Sequence, residues 1–547
     1  MKKIVTRFAP SPTGKMHLGN ARTALFNYLY AKHNNGDFLL RIEDTDKERS
    51  TDENVDVIYQ SLKRMGLKHD GDVTIQSHNL NRHHEVAEEM IKRGMAYRAY
   101  DTKEELEDAR HLAKVNKTSY KYNGVWKDDN HPTYPENTPY VVRIRNPFSD
   151  DHDIIINDLV QGKVTVKAKE VDDFIILRSD GTPTYLLSVV VDDHDAGVNT
   201  IIRGDDHLTN TFRQYLIWNA MGWDIPDYAH VPLIHGSDGK KLSKRSGASS
   251  IEDLCSMGFE MPGMKGVINY LGTLGWSPKA DLLSSDILLM HNEEMITYLN
   301  KLGWEFPKEK PCKERITEIF KSYMINNGYA YDMGSIIFDC NDYFETLEGI
   351  KKIPEYFSLE EMVEKFDIKD VNKSASQFDM KKLLHINGYW MANISTDDFS
   401  MSFKQFLSSY HPNFSVDEDT LNSIIPSLPI RSKTFEEAYE MIKFLDNNLY
   451  MENVNGKDLS MDLAIVKTVM DNYFNLSNDD KNDNGILKVM KQYAEDNSLK
   501  LKAVATSVRN VLTGQKISPP LHDVIDALGE KKIESILEDY KNSTLTM

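Results

Sequence analysis

Residues 7–20 of this 547-residue chain read RFAPSPTGKMHLGN. Apolar and more polar residues alternate just before the loop, which predicts a short strand over residues 4–8. Proline and glycine then predict a tight loop, and a helix should begin near Leu18 and bury one face through Ala31. Unpaired backbone N–H groups at a helix start attract anions, and His17 could add a donor there. The segment therefore predicts a phosphate cradle and, as a first interpretation, nucleotide binding.

Much further along the chain lies a basic loop, residues 239–245, which reads GKKLSKR. It stands out because the formal net charge of the whole chain is −19. Either motif alone is common, since a histidine beside a helix start is usually a packed or capping side chain and a basic loop is usually solvated surface. Together and in this order, the two segments resemble the HIGH and KMSKS signatures of the class I aminoacyl-tRNA synthetases.

The sequence around the two motifs narrows the resemblance. Similarity to bacterial-type glutamyl-tRNA synthetases extends over RFAPSPTGKMHLGNARTALFNYLYA, LLRIEDTDKERS, the Gly-Asp-Asp-His run at residues 204–207, and KKLSKR. This resemblance implies that ATP, carried with Mg²⁺, activates L-glutamate to glutamyl-adenylate, and that the glutamyl group is then transferred to the 3' end of tRNA(Glu). Neither step needs a protein nucleophile, so positioning and electrostatic stabilisation are expected to supply the catalysis.

The fold class expected from the resemblance is a multidomain α/β protein. A Rossmann-like nucleotide-binding catalytic domain should carry an α+β insertion and be followed by an all-α anticodon-binding region, whereas a glutaminyl enzyme would be expected to end in β-barrels. The expected parts are residues 1–95 (first part of the catalytic domain), 96–184 (inserted acceptor-end-binding subdomain), 185–225 (second part of the catalytic domain), 226–385 (stem-contact region with the KLSKR loop) and 386–547 (anticodon-binding region). Similarity weakens over about 278–356, an unusual insertion to which we assign no role.

Several elements are predicted from local pattern. The nearly all-apolar run Leu186 to Val191 is typical of a parallel strand covered on both faces, and residues 200–202 predict another strand. Periodic apolar residues predict helices over Leu208 to Met221 and Phe435 to Leu449. Asp52 is expected to cap the helix that follows it.

The matched motifs assign the ATP site. His17, Lys241 and Lys244 are expected to stabilise the charge that grows on the phosphoryl oxygens. The last histidine of the HIGH signature is replaced here by Asn20. The expected ATP-binding residues are His17, Gly19, Asn20, Lys241, Ser243 and Lys244.

The matched motifs also assign the amino-acid site. A guanidinium group recognises a γ-carboxylate best, because it can donate two parallel hydrogen bonds to the two oxygens. The neutral amide of glutamine would leave the positive charge of the guanidinium unmatched. Arg7 and Arg203 are the expected guanidinium groups, with Ser11 and Tyr185 as hydrogen-bond partners. Glu43 is expected to bind the α-ammonium group.

Composition excludes several classes of protein. No apolar stretch approaches the ~18 residues that span a bilayer, so we expect no membrane contact and a cytoplasmic location. Cys255, Cys312 and Cys340 are far apart and show no CxxC spacing, so we predict no disulfide framework, no protein metal site and no structural zinc. An acidic chain with basic patches fits selective tRNA binding rather than indiscriminate nucleic-acid binding. A monomer is expected.

Alternatives remain at this stage. The acidic runs at residues 192–195 and 205–207 could belong to a metallohydrolase, although adjacent acids on a strand point to opposite faces. A catalytically decayed tRNA-binding protein is opposed by the joint presence of Arg7, His17 and both motif lysines. A short enzyme that glutamylates a tRNA base would lack the helical end. A non-discriminating enzyme that also charges tRNA(Gln) stays open.

Overall fold

The computed structural model describes residues 2–46, 49–118, 120–122, 124–127, 138–236, 238–240, 242, 248–278, 356–454 and 459–544. These belong to two compact units. The first comprises Met1–Lys63, Leu67–Ser246 and Leu271–Phe378, and the second comprises Arg64–Gly66, Gly247–Tyr270 and Asp379–Met547. The unusual insertion predicted at about 278–356 lies, apart from its two ends, outside the described residues.

The first unit contains the described strands. They are β1 (Val5–Phe8), β2 (Asp37–Ile42), β3 (Thr74–Ile75), β4 (Ala96–Ala99), β5 (Val141–Ile144), β6 (Asp153–Asp158), β7 (Gly162–Lys167), β8 (Ile175–Leu177), β9 (Thr200–Gly204), β10 (Asp227–Val231), β11 (Ile234–His235) and β12 (Ser376–Gln377). The parallel sheet β1-β2-β3 and the sheet β7-β6-β10-β9 form the part predicted to bind a nucleotide, while β4-β5-β8 is an antiparallel sheet of its own. The predicted strand at 200–202 is confirmed as β9.

Hydrogen bonds join the β1-β2-β3 sheet to the β7-β6-β10-β9 sheet where β1 lies beside β9. The Val5 N–H donates to Asn199 Oδ1 at 2.9 Å, and the Asn199 N–H donates to the Val5 carbonyl at 3.1 Å. Asn27 Nδ2 donates to the Ile202 carbonyl at 2.9 Å. The strands of the joined sheets are largely parallel and are covered by helices. This is the predicted Rossmann-like arrangement.

The β6–β7 hairpin lies within the predicted insertion, residues 96–184, yet it extends the nucleotide-binding sheet. Asp158 of β6 is in register with Tyr228 of β10 in a parallel pairing. The rest of the same stretch forms the separate β4-β5-β8 sheet.

Helices also lie wholly or mostly in the first unit. They are α1 (Leu18–His33), α2 (Asp52–Arg64), α3 (Leu80–Lys92), α4 (Lys103–Val115), α5 (Tyr185–Asp195) and α6 (Leu208–Met221), joined later in the chain by α9 (Leu359–Lys365). The predicted helix at Leu208 to Met221 is confirmed. The Thr51 hydroxyl, 3.3 Å from the Asn54 N–H, lies just before the first residue of α2, so the predicted capping role of Asp52 is wrong.

The prediction that α1 buries only one face is wrong. Leu25, Phe26 and Asn27 are consecutive and all fully buried. The helix packs against β1, β2 and β9 and also against α9, so most of its circumference is covered. Even the polar Arg22 is 3% exposed and forms hydrogen bonds inside the fold.

The predicted strand at Leu186 to Val191 is also wrong, because these residues lie in α5. Every residue from Leu187 to Asp193 is buried, since α5 packs against α3, α6 and β8. A short apolar run is compatible with a covered strand or with a helix that is covered all round, and periodicity cannot separate the two. Thr184, in extended conformation, is the N-cap that starts the helix.

The second unit is helical in its described part. Its helices are α7 (Ile251–Ser256), α8 (Lys265–Thr273, which ends in the first unit), α10 (Met380–Ala392), α11 (Thr396–Tyr410), α12 (Glu418–Ile424), α13 (Phe435–Ile442), α14 (Asn447–Val454), α15 (Ser460–Phe474), α16 (Asp483–Asp496), α17 (Leu501–Thr513) and α18 (Leu521–Thr544). Phe399, Phe403, Phe406 and Phe435 pack against one another in its core, with their rings tilted or edge to face.

The single helix predicted over Phe435 to Leu449 is wrong. α13 ends at Ile442 and α14 begins at Asn447. Between them the buried Asp446 carboxylate accepts the N–H groups of Asn448 and Leu449, at 2.9 and 3.3 Å. This carboxylate satisfies the open start of α14, so a new helix begins there.

Candidate active site

The loop after β1 leads into the N-terminus of α1. His17 is the N-cap in extended conformation, and its carbonyl accepts the Ala21 N–H at 3.0 Å. The His17 side chain is exposed and makes no capping hydrogen bond. A Cβ added at Gly19 would meet nothing within 4 Å, so open space lies over the first turn of the helix. Free N–H groups and an exposed imidazole beside open space fit an anionic ligand.

A buried arginine connects α1 to the segment before the basic loop. Arg22 donates through Nη2 to the Pro232 carbonyl and through Nη1 to the Leu274 carbonyl at 3.1 Å. Burial lowers the pKa of Arg22 to about 10, although Asp205 opposes the shift. The sequence interpretation missed this contact, because a single Arg within a helical pattern gives no signal of its partners.

The start of the basic loop is a tight turn. The Gly236 N–H donates to the Lys240 carbonyl at 2.8 Å, and the Leu242 N–H donates to the Ile234 carbonyl at 3.0 Å. Gly239 has φ +72°, a conformation that favours glycine. The predicted ATP ligands Lys241, Ser243 and Lys244 lie outside the described residues.

A buried cluster of charges lies at the ends of β1 and β2. Arg7 Nε lies 3.1 Å from Asp193 Oδ1, and Arg41 Nη1 lies 2.5 Å from the same oxygen. Arg41 Nη2 lies 3.1 Å from Glu43 Oε1. Burial alone would raise the pKa of Asp193, but Arg41 and Arg7 hold it below its ordinary value. Asp193 is therefore an anion that two guanidinium groups share.

Arg203 of β9 forms a second part of the same cluster. Its Nη2 donates to Thr211 Oγ1 at 2.7 Å and its Nε donates to His230 Nε2 at 3.2 Å. Its Nη1 is buried and has no hydrogen-bond partner within the described part of the chain. Burial lowers the pKa of Arg203. A buried donor without a partner is costly, so this edge of the guanidinium is suited to an incoming acceptor.

Tyr185, at the start of α5, is enclosed by these charges. Burial raises the pKa of Tyr185 to about 12, and Glu43 adds to the shift while Arg203 and Arg7 oppose it. The four predicted glutamate-site residues Arg7, Glu43, Tyr185 and Arg203 therefore lie in one electrostatically coupled group. The fifth, Ser11, is exposed on the loop after β1.

His207 completes the hydrogen bonding of Tyr185. The Tyr185 hydroxyl lies 3.2 Å from His207 Nδ1. Burial and the nearby Arg203 lower the pKa of His207 to about 4. The imidazole is therefore neutral at pH 7, and its Nδ1 shares a hydrogen bond with the protonated phenol of Tyr185.

Sequence interpretation missed Arg41 and Asp193 as members of this group. Arg41 and Glu43 are two positions apart at the end of β2, so strand alternation could have placed them on one face. Asp193 was assigned to a strand end and weighed only as a metal ligand. No local pattern indicates its partners, which come from β1 and β2.

Asp192 bonds a different set of groups from its neighbour. Its carboxylate accepts from Gln76 Nε2 at 2.8 Å and Asn79 Nδ2 at 2.9 Å, and it lies 2.8 Å from His83 Nε2. Across the described residues, no three His, Cys, Asp or Glu side chains are grouped to hold a metal ion. Helix rather than strand geometry thus separates Asp192 from Asp193, and the acidic run does not converge on one point.

Comparison with known proteins decides the family. Residues 3–314 match the model for the catalytic domain of class I tRNA synthetases (E and Q). The chain belongs to the class I tRNA synthetases. Residues 399–539 of this tRNA synthetase match an anticodon-binding domain model. Two relatives, glutamate–tRNA ligase 2 of Zymomonas mobilis and glutamate–tRNA ligase of Azorhizobium caulinodans, are each 38% identical over 98% of the chain and 96% and 99% of their own lengths.

Solved structures agree with the family. The glutamate–tRNA synthetase of Elizabethkingia anophelis matches 98% of this tRNA synthetase and 99% of its own chain, with a TM-score of 0.70 and 25% identity. A glutamate–tRNA ligase from Elizabethkingia meningosepticum, in complex with its amino acid, matches equally well. In the described part of the chain, no helix has both the length and the apolar character needed to cross a bilayer.

Proposed function

We propose that this tRNA synthetase is a glutamate–tRNA ligase, which activates L-glutamate with ATP and transfers it to the 3' end of tRNA(Glu). The carrying observation is the group of buried Arg7, Glu43 and Arg203 with the half-buried Tyr185, in a chain that matches glutamate–tRNA ligases over 98% of its length. A decayed tRNA-binding protein would have no reason to keep costly buried charges. The acidic runs give no support to a metallohydrolase.

Arg203 and Arg7 are proposed to bind the γ-carboxylate of glutamate. Support comes from the buried Nη1 of Arg203, which has no hydrogen-bond partner among the described residues and which a carboxylate oxygen would satisfy. Glutamine would place a neutral amide there and would leave the charge of the guanidinium unmatched. Tyr185 and Ser11 are proposed hydrogen-bond partners.

Glu43 is proposed to bind the α-ammonium group. Burial raises the pKa of Glu43, while Arg41 and Arg7 oppose the shift. A bound ammonium group would add a further positive charge and favour the carboxylate form. The substrate would thus complete the charge balance of the site.

ATP, which class I tRNA synthetases use with Mg²⁺ as a substrate complex, is proposed to lie over the start of α1. His17, Gly19 and Asn20 would meet its phosphates from the helix, and Lys241, Ser243 and Lys244 from the basic loop. The open space over Gly19 supports this placement. Mg²⁺ would be held mainly by phosphate oxygens, and no structural zinc is proposed.

The proposed tRNA contacts follow the expected division of the chain. Residues 96–184 would bind the acceptor end, 226–385 the stem and 386–547 the anticodon, with the catalytic domain formed by 1–95 and 185–225. We propose a cytoplasmic monomer. Charging of tRNA(Gln) as well as tRNA(Glu) would depend on anticodon contacts and is left to the experiment.

ATP–pyrophosphate exchange tests the proposal. Exchange is expected with glutamate but not with glutamine, and only when tRNA is present, as is usual in this family. Aminoacylation of purified tRNA(Glu) and tRNA(Gln) then distinguishes a discriminating from a non-discriminating enzyme. Absence of glutamate-dependent exchange in the presence of both tRNAs would overturn the proposed activity.

A further inference from the structure

A buried Asp–His pair, Asp158 and His230, lies next to Arg203, and the proposed reaction does not use it. His230 Nδ1 lies 2.6 Å from Asp158 Oδ2, and both side chains are 0% exposed. Asp158 also accepts the N–H groups of Val160 and Gln161, at 2.9 and 2.8 Å, and that of His230 itself at 3.1 Å. Burial alone would raise the pKa of Asp158, but these donors hold it below its ordinary value.

The donors around Asp158 determine which nitrogen of His230 carries the proton. An ionised carboxylate can only accept, so His230 Nδ1 must donate to it. Arg203 Nε can only donate, and it lies 3.2 Å from His230 Nε2, so that nitrogen must present a lone pair. His230 is therefore neutral and protonated at Nδ1. Thr211 Oγ1, 3.0 Å from Nε2, accepts from Arg203 Nη2 and can donate its own proton to Nε2.

This arrangement fixes the orientation of the Arg203 guanidinium. Its Nε bonds His230 and its Nη2 bonds Thr211, so among the described residues only the Nη1 edge is left without a partner and open to a ligand. The ring of Tyr228 lies beside the guanidinium, with its centroid 5.6 Å from the Arg203 Cζ. Asp158 belongs to the β6–β7 hairpin, whereas Arg203 and His230 belong to β9 and β10.

We propose that Asp158 and His230 are positioning residues for glutamate binding: Asp158 sets the tautomer of His230, and His230 then orients Arg203 toward the substrate carboxylate. The inference rests on the proposed function of Arg203. It gives the β6–β7 hairpin, which lies within the predicted acceptor-end insertion, a part in amino-acid binding. Neither residue touches the substrate, so each acts only through Arg203.

The test uses two substitutions of one residue. In His230→Asn the amide nitrogen overlays Nδ1 and can bond Asp158, but nothing reaches Arg203. In His230→Gln the amide oxygen overlays Nε2 and can accept from Arg203. We expect His230→Asn to raise the KM for glutamate about tenfold, the factor for one weakened hydrogen bond to a charged group, and His230→Gln to keep it within about threefold. The KM for ATP should change in neither.

Asp158→Asn supplies an independent arm. Its amide would donate to His230 Nδ1, so the imidazole proton would have to lie on Nε2. That N–H would then face the Arg203 Nε–H, and two donors cannot form a hydrogen bond with each other. In the chain that keeps His230, Asp158→Asn should again raise the KM for glutamate about tenfold. In the His230→Gln background, however, Asp158→Asn should add little, because no imidazole tautomer remains to be set. A purely structural role predicts additive losses instead.

Ile154→Ala is the matched control, since Ile154 is buried on the same strand and is 0% exposed. It should lower the thermal midpoint and leave the KM for glutamate unchanged. All constants are measured by ATP–pyrophosphate exchange with saturating tRNA.

A wild-type chain without glutamate-dependent exchange refutes the proposed function. An active wild type whose His230→Asn and Asp158→Asn variants keep the wild-type KM refutes the positioning role alone. If those two variants do not fold, a tenfold rise in KM in His230→Gln overturns the inference, and a KM within threefold supports it.

Discussion

Arg7 donates through Nε to Asp193 at 3.1 Å although 186 positions separate the two residues in the sequence. Arg7 lies on β1, and Asp193 lies in the last turn of α5, after the stretch that forms the β4-β5-β8 sheet and the β6–β7 hairpin. The pair joins the two parts of the nucleotide-binding fold inside the proposed glutamate site. Removing Asp193 would leave the buried Arg7 without its carboxylate partner, which costs about 3–5 kcal/mol, whereas removing Arg7 would leave Asp193 paired with Arg41.

Arg7→Lys should weaken glutamate binding. Lysine keeps the positive charge but cannot bond Asp193 and a substrate carboxylate with one rigid fork. We expect the KM for glutamate to rise about tenfold, the effect of about 1.4 kcal/mol, with the KM for ATP unchanged. The control is Arg82→Lys, whose guanidinium pairs with Asp195 while 43% exposed. Equal KM values for glutamate in both variants would remove Arg7 from the site.

Lys244→Ala should abolish most of the exchange activity. A lysine that meets the phosphates mainly in the transition state lowers kcat when it is removed, by about 10²–10³-fold for one such donor. Lys240→Ala is the control, because Lys240 is an exposed lysine of the same loop. Pre-steady-state exchange should show the loss in the chemical step. Activity of Lys244→Ala within twofold of Lys240→Ala would contradict the proposed role.

Gly258→Ala should strongly destabilise the second unit. Gly258 has φ +81°, and an added Cβ would lie 2.3 Å from the Glu436 backbone nitrogen. Gly263 has a similar φ of +68°, but a Cβ there would meet nothing within 4 Å. Gly263→Ala should therefore cost about 1 kcal/mol of backbone strain, and Gly258→Ala more than about 3 kcal/mol. Calorimetric unfolding of the two variants measures the difference, and equal midpoints would show that the chain relaxes around Gly258.

His207 should make the protein less stable in mild acid. Its pKa is lowered from 6.5 to about 4, so between these values the unfolded chain binds a proton that the folded chain does not. The stability from burying neutral His207 is complete above pH 6.5 and is lost as the pH falls toward 4. At pH 5 the loss is about 2 kcal/mol. Between pH 7.5 and 5, the thermal midpoint of the wild type should fall further than that of His207→Asn.

His78→Asn controls for removal of an imidazole from an exposed position. It should follow the wild type between the two pH values. If His207→Asn also follows the wild type, the buried imidazole does not titrate in this range.

Local periodicity predicted some of the fold well. The periodic apolar residues of α6 and the short apolar run of β9 predicted the type and position of both elements from the sequence alone. The opposite held for α5, where an unbroken apolar run carried no period, and for α13 and α14, where the Asp446 carboxylate starts a new helix after α13 has ended at Ile442.

The candidate site could be predicted only in part. The residues with a family motif, including Arg7, Glu43, Tyr185 and Arg203, were named, and the fold brings these four together. Their partners were not named, since Asp193 and His230 contact them through tertiary structure and leave no local pattern. Which hydrogen bonds orient an arginine is therefore a property of the folded chain rather than of any segment.

The boundary between β1 and β9 has a mechanical consequence. The side chain and backbone of Asn199, with Asn27, join these strands, and the described sheets on either side are separate ladders. Arg7 stands on one side of this boundary and Arg203 on the other. A substrate carboxylate held by both arginines would bridge this boundary. The bound amino acid would then act as a cross-link that holds the two halves of the fold at a fixed spacing.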